Sequence, residues 1–208
     1  MENKLSRDKE ELILHAAQRR FAAYSYSKVT MDEIAEDIGM AKASLYYYFP
    51  TKEAIFRSVV QHEQEEFLVQ AKEVLAHNGS AGNKMVEYVQ LRMKLTVRLS
   101  NLSQIHQQGW HDVRSIFQDL FKTFIQHELQ YVTQILQEGK KAGEFHLEEP
   151  KKIASMIMHV LQGLHLRFFR GYDQQAINES DHELFEHETL LFVNTILHGV
   201  CKKSKRDL

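Results

Sequence analysis

Between Gly39 and Lys52 the chain has no acidic residue, but it carries Lys42, Ser44, three consecutive tyrosines (Tyr46, Tyr47, Tyr48) and Lys52. Ammonium and hydroxyl donors without nearby negative charge are what a surface approaching phosphates requires. At about 100° per residue, Ala43 and Tyr47 fall on one side of a helix, with Ser44 and Tyr46 flanking them.

The elements that must hold these residues have local signals. Thr30 is followed three residues later by Glu33, so a hydroxyl and a carboxylate can satisfy each other's unpaired amides at a helix start. A short helix over Met31 to Ile38 follows. Gly39 supplies the permissive backbone that ends it, and a second short helix runs from Lys42 to Tyr48 before Pro50 forbids continuation. Two short helices around a glycine turn make a helix-turn-helix. The spacing predicts that Ala41, Leu45 and Phe49 pack on Ile34, Ala35 and Ile38. Thr51 can cap a third helix, placing the Lys52 ammonium and the first-turn amides where a phosphate would dock.

Three segments, Thr30-Met-Asp-Glu-Ile-Ala, Gly39-Met-Ala-Lys-Ala-Ser-Leu-Tyr-Tyr-Tyr-Phe and Lys52-Glu-Ala-Ile, resemble the DNA-binding domain of the TetR family of bacterial transcriptional regulators. The resemblance implies a backbone contact from Thr30, and recognition-helix and phosphate contacts from Lys42, Ala43, Ser44, Tyr46, Tyr47 and Lys52, with Tyr48 able to join them. It also implies a homodimer, paired through its two C-terminal helices and bound to double-stranded DNA at a palindromic operator. The expected function is a repressor released by a small-molecule inducer. Two positions depart from the family pattern. Ser25 stands where a glycine is usual between the first two helices, and Ala41 replaces the common serine before the recognition helix. Two other readings compete: a surface aromatic cluster on an ordinary helical domain, or a helical protein-binding adaptor without sequence-specific DNA binding.

Composition sets wider bounds. The chain has 208 residues, a formal net charge of −2, two prolines and one cysteine, Cys201. Near-neutral charge argues against a polycation that coats nucleic acid, so DNA contact must come from a local patch. A single cysteine forms no intrachain disulfide and suits a reducing compartment. No apolar run approaches the roughly 18 residues of a membrane span, and the N-terminus lacks a signal-peptide pattern. A cytoplasmic protein without a membrane partner is expected.

The fold class is all-α, about nine helices with little or no strand. Residues 1–50 form a three-helix DNA-binding domain; residues 51–208 form a larger helical ligand-binding and dimerisation domain, joined to it by the helix 52–77. The first helix is capped by Ser6 and buries Leu12, Ile13, Ala16, Ala17 and Phe21, with Tyr24 and Tyr26 also read as core. The linking helix, about 40 Å long, can transmit movement. A loop spans Asn78 to Asn83, and helices follow over Met85 to Leu99, Asn101 to Gln108, His111 to Lys140 and Pro150 to Arg170, with a last one from near Ser180. The last helix carries more apolar circumference than one core can cover, and the basic tail Lys202 to Arg206 reads as a solvated end.

Among these helices, Trp110, Phe117, Phe121 and Phe124 offer apolar walls, and His127, Tyr131, His159, Gln162 and His165 offer polar handles. That mixture suits a ligand cavity. Because no strongly charged cluster is visible in these segments, the expected inducer is apolar or aromatic and neutral or weakly charged. No cofactor, metal or catalytic residue is expected. His182 and His187 lie five apart and diverge by about 140°, so both cannot ligate one ion from a regular helix. The spacings of His62 with Glu66 and of Glu183 with His187 read as solvated surface pairs. No phosphate-binding loop, dinucleotide fingerprint or serine-nucleophile elbow occurs.

Overall fold

Helix signals carried by caps and breakers fold where they stand. The computed structural model describes residues 2–24, 26–103, 110–171 and 179–200, and the side chains of 6–24, 26–99, 115–116, 118–164 and 181–199. Eight helices occur among the described residues: α1 (Glu2–Tyr24), α2 (Met31–Asp37), α3 (Lys42–Tyr48), α4 (Lys52–Ala76), α5 (Ala81–Ser103), α6 (Trp110–Ala142), α7 (Pro150–Gly171) and α8 (Glu179–Val200). No helix is long and apolar enough to cross a membrane among these residues. Ser25 and the tail Lys202 to Arg206 lie outside the described residues.

Three differences from the sequence expectation exceed two residues. Helix α1 already runs from Glu2, so Ser6 lies inside it rather than at its cap. Helix α5 begins at Ala81, not Met85, because Ser80 acts as its cap: the Ser80 hydroxyl accepts from the Asn83 amide at 3.1 Å, and its carbonyl accepts from the Lys84 amide. The polar segment 101–103 continues α5 instead of starting a new helix, and the rest of Asn101 to Gln108 is outside the described residues.

The chain forms two compact units, Met1–Glu65 with Val97–Lys122, and Glu66–Thr96 with Thr123–Leu208. In the first, Ile13, Ala16, Ala17 and Phe21 of α1 are buried together with Ile34, Ala35, Leu45, Ile55, Phe56, Val59 and Val60. Edge-to-face ring contacts join Phe21 to Phe56 (5.1 Å) and Tyr26 to Phe56 (5.0 Å), a geometry the aromatic quadrupole favours. Leu12 and Tyr24, read as core from spacing, are exposed. The guanidinium of Arg20 lies 5.6 Å from the Tyr24 ring centroid, an arrangement compatible with solvent on the ring's other side.

In the second unit, Phe67, Met85, Tyr88, Val89, Phe124, Val132, Ile135 and Leu136 are buried, with Ala154, Ile157 and Leu161 of α7 and Phe185, Val193 and Leu197 of α8. Helix α6 ends where Gly143 adopts φ +74°, and its Gly139 has no room for a side chain, since a Cβ there would lie 2.2 Å from the Phe145 ring. Helices α7 and α8 pack on each other.

Candidate nucleic-acid interface

Thr30 takes an extended backbone (φ −114°, ψ 157°) and builds a reciprocal cap: its hydroxyl oxygen accepts from the Glu33 amide at 3.3 Å, and the Glu33 carboxylate accepts from the Thr30 amide at 2.8 Å. The Thr30 hydroxyl also donates to Glu33 at 2.8 Å, so its proton is turned into the cap. Helix α2 stops because Gly39 enters the left-handed region at φ +62°, allowing the Met40 amide to reach the Ala35 carbonyl at 2.9 Å.

Helix α3 has no side-chain cap at Ala41, the consequence of alanine at a position where a hydroxyl could have served. Leu45 and Phe49 are buried, as are Ile34 and Ala35, and α2 packs on α3. Ala41, predicted to join them, is exposed, and Ile38 is half-buried. Ala41 precedes the first helical residue, so the 100° rule does not place it on the buried stripe. The outward side presents Ala43, Ser44, Tyr46 and Tyr47, all exposed, with Tyr48 half-buried. Tyr47 is 84 % exposed and meets Tyr48 edge-on, ring centroids 5.3 Å apart.

The lysines of this region differ in what they face. Lys42 pairs with Asp32 at 2.7 Å, and this hydrogen bond raises its pKa; both partners are largely exposed, so the pair contributes little to stability. Thr51 caps α4 by accepting from the Ala54 amide at 3.0 Å, as expected. The Lys52 ammonium points back to the turn between α1 and α2 and donates to the carbonyls of Tyr26 (2.9 Å) and Val29 (2.9 Å).

Arg20 ties α1 to α2 through a bidentate pair with Asp37 at 2.6 and 2.7 Å and a longer contact to Glu33. Asp37 is held below the usual carboxylate pKa chiefly by the Arg20 hydrogen bond, and Glu33 by its hydrogen bonds with Thr30. A carboxyl group with a depressed folded pKa adds stability above its unfolded pKa, and that stability is lost as pH falls through the folded value. Acidification from about pH 5 toward pH 2 is therefore expected to lower the melting temperature of the first unit. Arg20→Met should lower melting near neutral pH and flatten the acid dependence. Parallel melting-versus-pH curves for the two proteins would contradict this.

The sequence-predicted ligand residues are scattered in environment. Phe124 is buried, 5.4 Å from the Phe67 ring; Phe121, Tyr131 and Gln162 are half-buried; His127 and His159 are exposed. Burial raises the Tyr131 hydroxyl pKa. The side chains of Trp110, Phe117 and His165 lie outside the described residues. An open groove in the second unit, about 430 Å³, is lined by Gln70, Glu73 and His77 from α4 and by Glu87, Gln90 and Lys94 from α5, none of them in the predicted set.

One ion pair lies buried among these helices. Glu128 is fully buried, and its Oε1 accepts from Arg92 Nε at 2.6 Å and from the Tyr88 hydroxyl at 3.2 Å. Burial, with the Glu128 charge, pushes the Tyr88 hydroxyl well above its ordinary pKa. Glu128 stands four residues after Phe124 and four before Val132, an acidic residue within an apolar stripe, which is a signal readable in the sequence. No group of three or more metal-ligating side chains occurs among the described residues.

Comparison with known proteins agrees with this geometry. Residues 13–59 match the family model of bacterial regulatory proteins, tetR family. A transcriptional regulator from Cytophaga hutchinsonii is 34 % identical, with 93 % of this chain and 99 % of that one covered and a TM-score of 0.86. A TetR-family transcriptional regulator from Mesorhizobium loti shares the fold at 17 % identity and a TM-score of 0.70, over 95 % of this chain and 98 % of that one. The nucleoid occlusion factor SlmA of Vibrio vulnificus is 23 % identical over 81 % of this chain and 87 % of its own. With its capped helix-turn-helix, the eight helices among the described residues and similarity over 93 % of its length, the chain belongs to the TetR family and is a DNA-binding transcriptional regulator rather than an enzyme.

Proposed function

We propose that the protein is a homodimeric repressor that occupies a palindromic operator and leaves it when a small molecule binds the second unit. The observation that carries the DNA part is the outward side of α3: Ala43, Ser44, Tyr46 and Tyr47 are exposed on a helix whose opposite side is anchored by Leu45. Tyr47 is the base-reading residue, and Ser44 and Tyr46 contact the groove or its phosphates. Dimerisation is supported by apolar side chains left in solvent on α7 and α8: Met156 at 62 % exposure, Val160, Leu184 and Leu191. A second copy covering these surfaces would bury them, and a pair of helix-turn-helix modules then reads half-sites roughly 34 to 36 Å apart, or wider if the dimer spreads them.

The ligand we infer has an apolar or aromatic body that packs near Phe124 and Tyr131, with a hydrogen-bond donor for Glu128. The Oε2 atom of that buried carboxylate has no partner among the described residues, an arrangement that invites a donor. A ligand favouring the DNA-incompetent conformation 100-fold shifts the equilibrium by about 2.7 kcal/mol.

Selection from a randomised pool of duplexes tests the reading, followed by sedimentation at micromolar concentration. The expected results are a two-fold symmetric site and a dimer; no enriched sequence, or a monomer, would contradict the proposal. Tyr47→Ala should weaken binding to the selected site by about 1–3 kcal/mol and relax preference at one position of each half-site. A uniform loss across unrelated sequences would show that Tyr47 does not read bases.

A further inference from the structure

The pair of Asp32 and Lys42 spans the glycine turn of the helix-turn-helix, from the first turn of α2 to the first residue of α3. The ammonium straddles the carboxylate, 2.7 Å from Oδ1 and 2.8 Å from Oδ2. Both side chains stay largely exposed, at 58 % for Lys42 and 60 % for Asp32. An ammonium has three donors and a carboxylate about four acceptor sites, so the joined pair still offers a donor and acceptors outward. A recognition helix lays its N-terminal residues against base edges, which is where Lys42 stands.

An acid at that place opposes phosphates and every acceptor in the major groove. It is matched only by an amino group, cytosine N4 or adenine N6, while an ammonium is matched by guanine O6 and N7 or by thymine O4. Within either base pair, acceptor and amino group are hydrogen-bonded to each other about 2.9 Å apart, close to the spacing of the Lys42 and Asp32 heads. The two base pairs differ in what lies beside these atoms. Guanine adds N7 as a second acceptor for the ammonium, and cytosine has no acceptor next to N4. Thymine sets a methyl group beside O4, and adenine sets the N7 acceptor beside N6, against the carboxylate. Guanine–cytosine is therefore the better match on both sides.

Resting on the reading above that α3 enters the major groove, we propose that Asp32 and Lys42 together read one guanine–cytosine pair in each half-site. Lys42 Nζ donates to guanine O6 and N7, and the Asp32 carboxylate accepts from cytosine N4. On DNA lacking that pair the carboxylate keeps hold of the ammonium and withdraws its charge from the phosphates. Asp32 thus lowers affinity for unrelated DNA as well as raising discrimination.

The experiment takes wild type, Asp32→Ala and Lys42→Ala through selection from randomised duplexes, then measures affinity for the selected and an unrelated duplex across a salt series. Wild type is expected to select a guanine–cytosine pair at one position of each half-site, and replacing that pair should weaken binding about 5- to 150-fold. Asp32→Ala should lose most of this penalty yet bind the unrelated duplex more tightly, with a salt slope steeper by up to about 0.9 per bound protomer as Lys42 turns to a phosphate. Lys42→Ala should lose the same penalty and bind both duplexes more weakly. The Thr30–Glu33 cap, present in both variants, holds the start of α2, so both are expected to fold. Undiminished discrimination at every half-site position in Asp32→Ala overturns the proposal. So does an equal weakening of both duplexes by Asp32→Ala, which would give Asp32 a structural role alone. Wild type that enriches no sequence overturns the groove reading and this assignment together; an enriched site whose base preferences neither variant alters overturns this assignment alone.

Discussion

Glu128→Ala is expected to destabilise the second unit by about 3–5 kcal/mol in urea denaturation, the cost typical of breaking a buried ion pair from one side. The carboxylate is fully buried, and the Arg92 side chain that it holds at 2.6 Å is only 12 % exposed. Without Glu128 the guanidinium keeps its burial and loses its counter-charge, while the Tyr88 hydroxyl loses the acceptor at 3.2 Å. The same reasoning predicts that Arg92→Met combined with Glu128→Met recovers most of the loss, since an apolar replacement of both partners removes the desolvation cost together with the attraction. Arg92→Met and Glu128→Met, each alone and then together, therefore form a cycle with strong favourable coupling. Stability of Glu128→Ala within about 1 kcal/mol of wild type would show that water reaches the pair and that the network is not a core element.

Leu45→Ala is expected to cost the first unit about 2–5 kcal/mol and to remove DNA binding with it. Helix α3 has seven residues, and an isolated helix of that length is unstable in water. Its N-terminus has no side-chain cap, so its position depends on what it buries, chiefly Leu45 at 0 % exposure and Phe49. Cutting Leu45 back to alanine removes the only fully buried side chain of α3. Hydrogen exchange should then report loss of protection over residues 42–48 before the rest of the unit opens. Undiminished affinity for the selected duplex in Leu45→Ala would mean that DNA itself orders the helix.

The parts of this protein legible in its sequence are those whose cause lies within about four residues. The Thr30–Glu33 box, the Gly39 stop, the extent of α3, the Thr51 cap, the Gly143 terminus and the Pro150 start each depend on neighbouring backbone amides and on φ angles, which residue types specify directly. The exposed side of α3 is readable for the same reason, because helical periodicity places Leu45 inward and Tyr47 outward. Ser80 as a cap is equally local, but Gly79 and Gly82 on either side of it mask the signal by suggesting a longer loop.

Long polar side chains and their distant partners are settled by tertiary packing alone. Lys52 has four rotatable bonds, and nothing near it in sequence says whether its ammonium turns toward solvent or toward carbonyls 23 and 26 residues earlier. The same holds for Arg20, whose partner Asp37 is 17 residues away, and for Arg92 and Glu128, separated by 36. Periodicity states which side of a helix is buried, but a buried charge is tolerated only where another helix delivers its counter-charge, and that delivery depends on how helices cross rather than on their sequence.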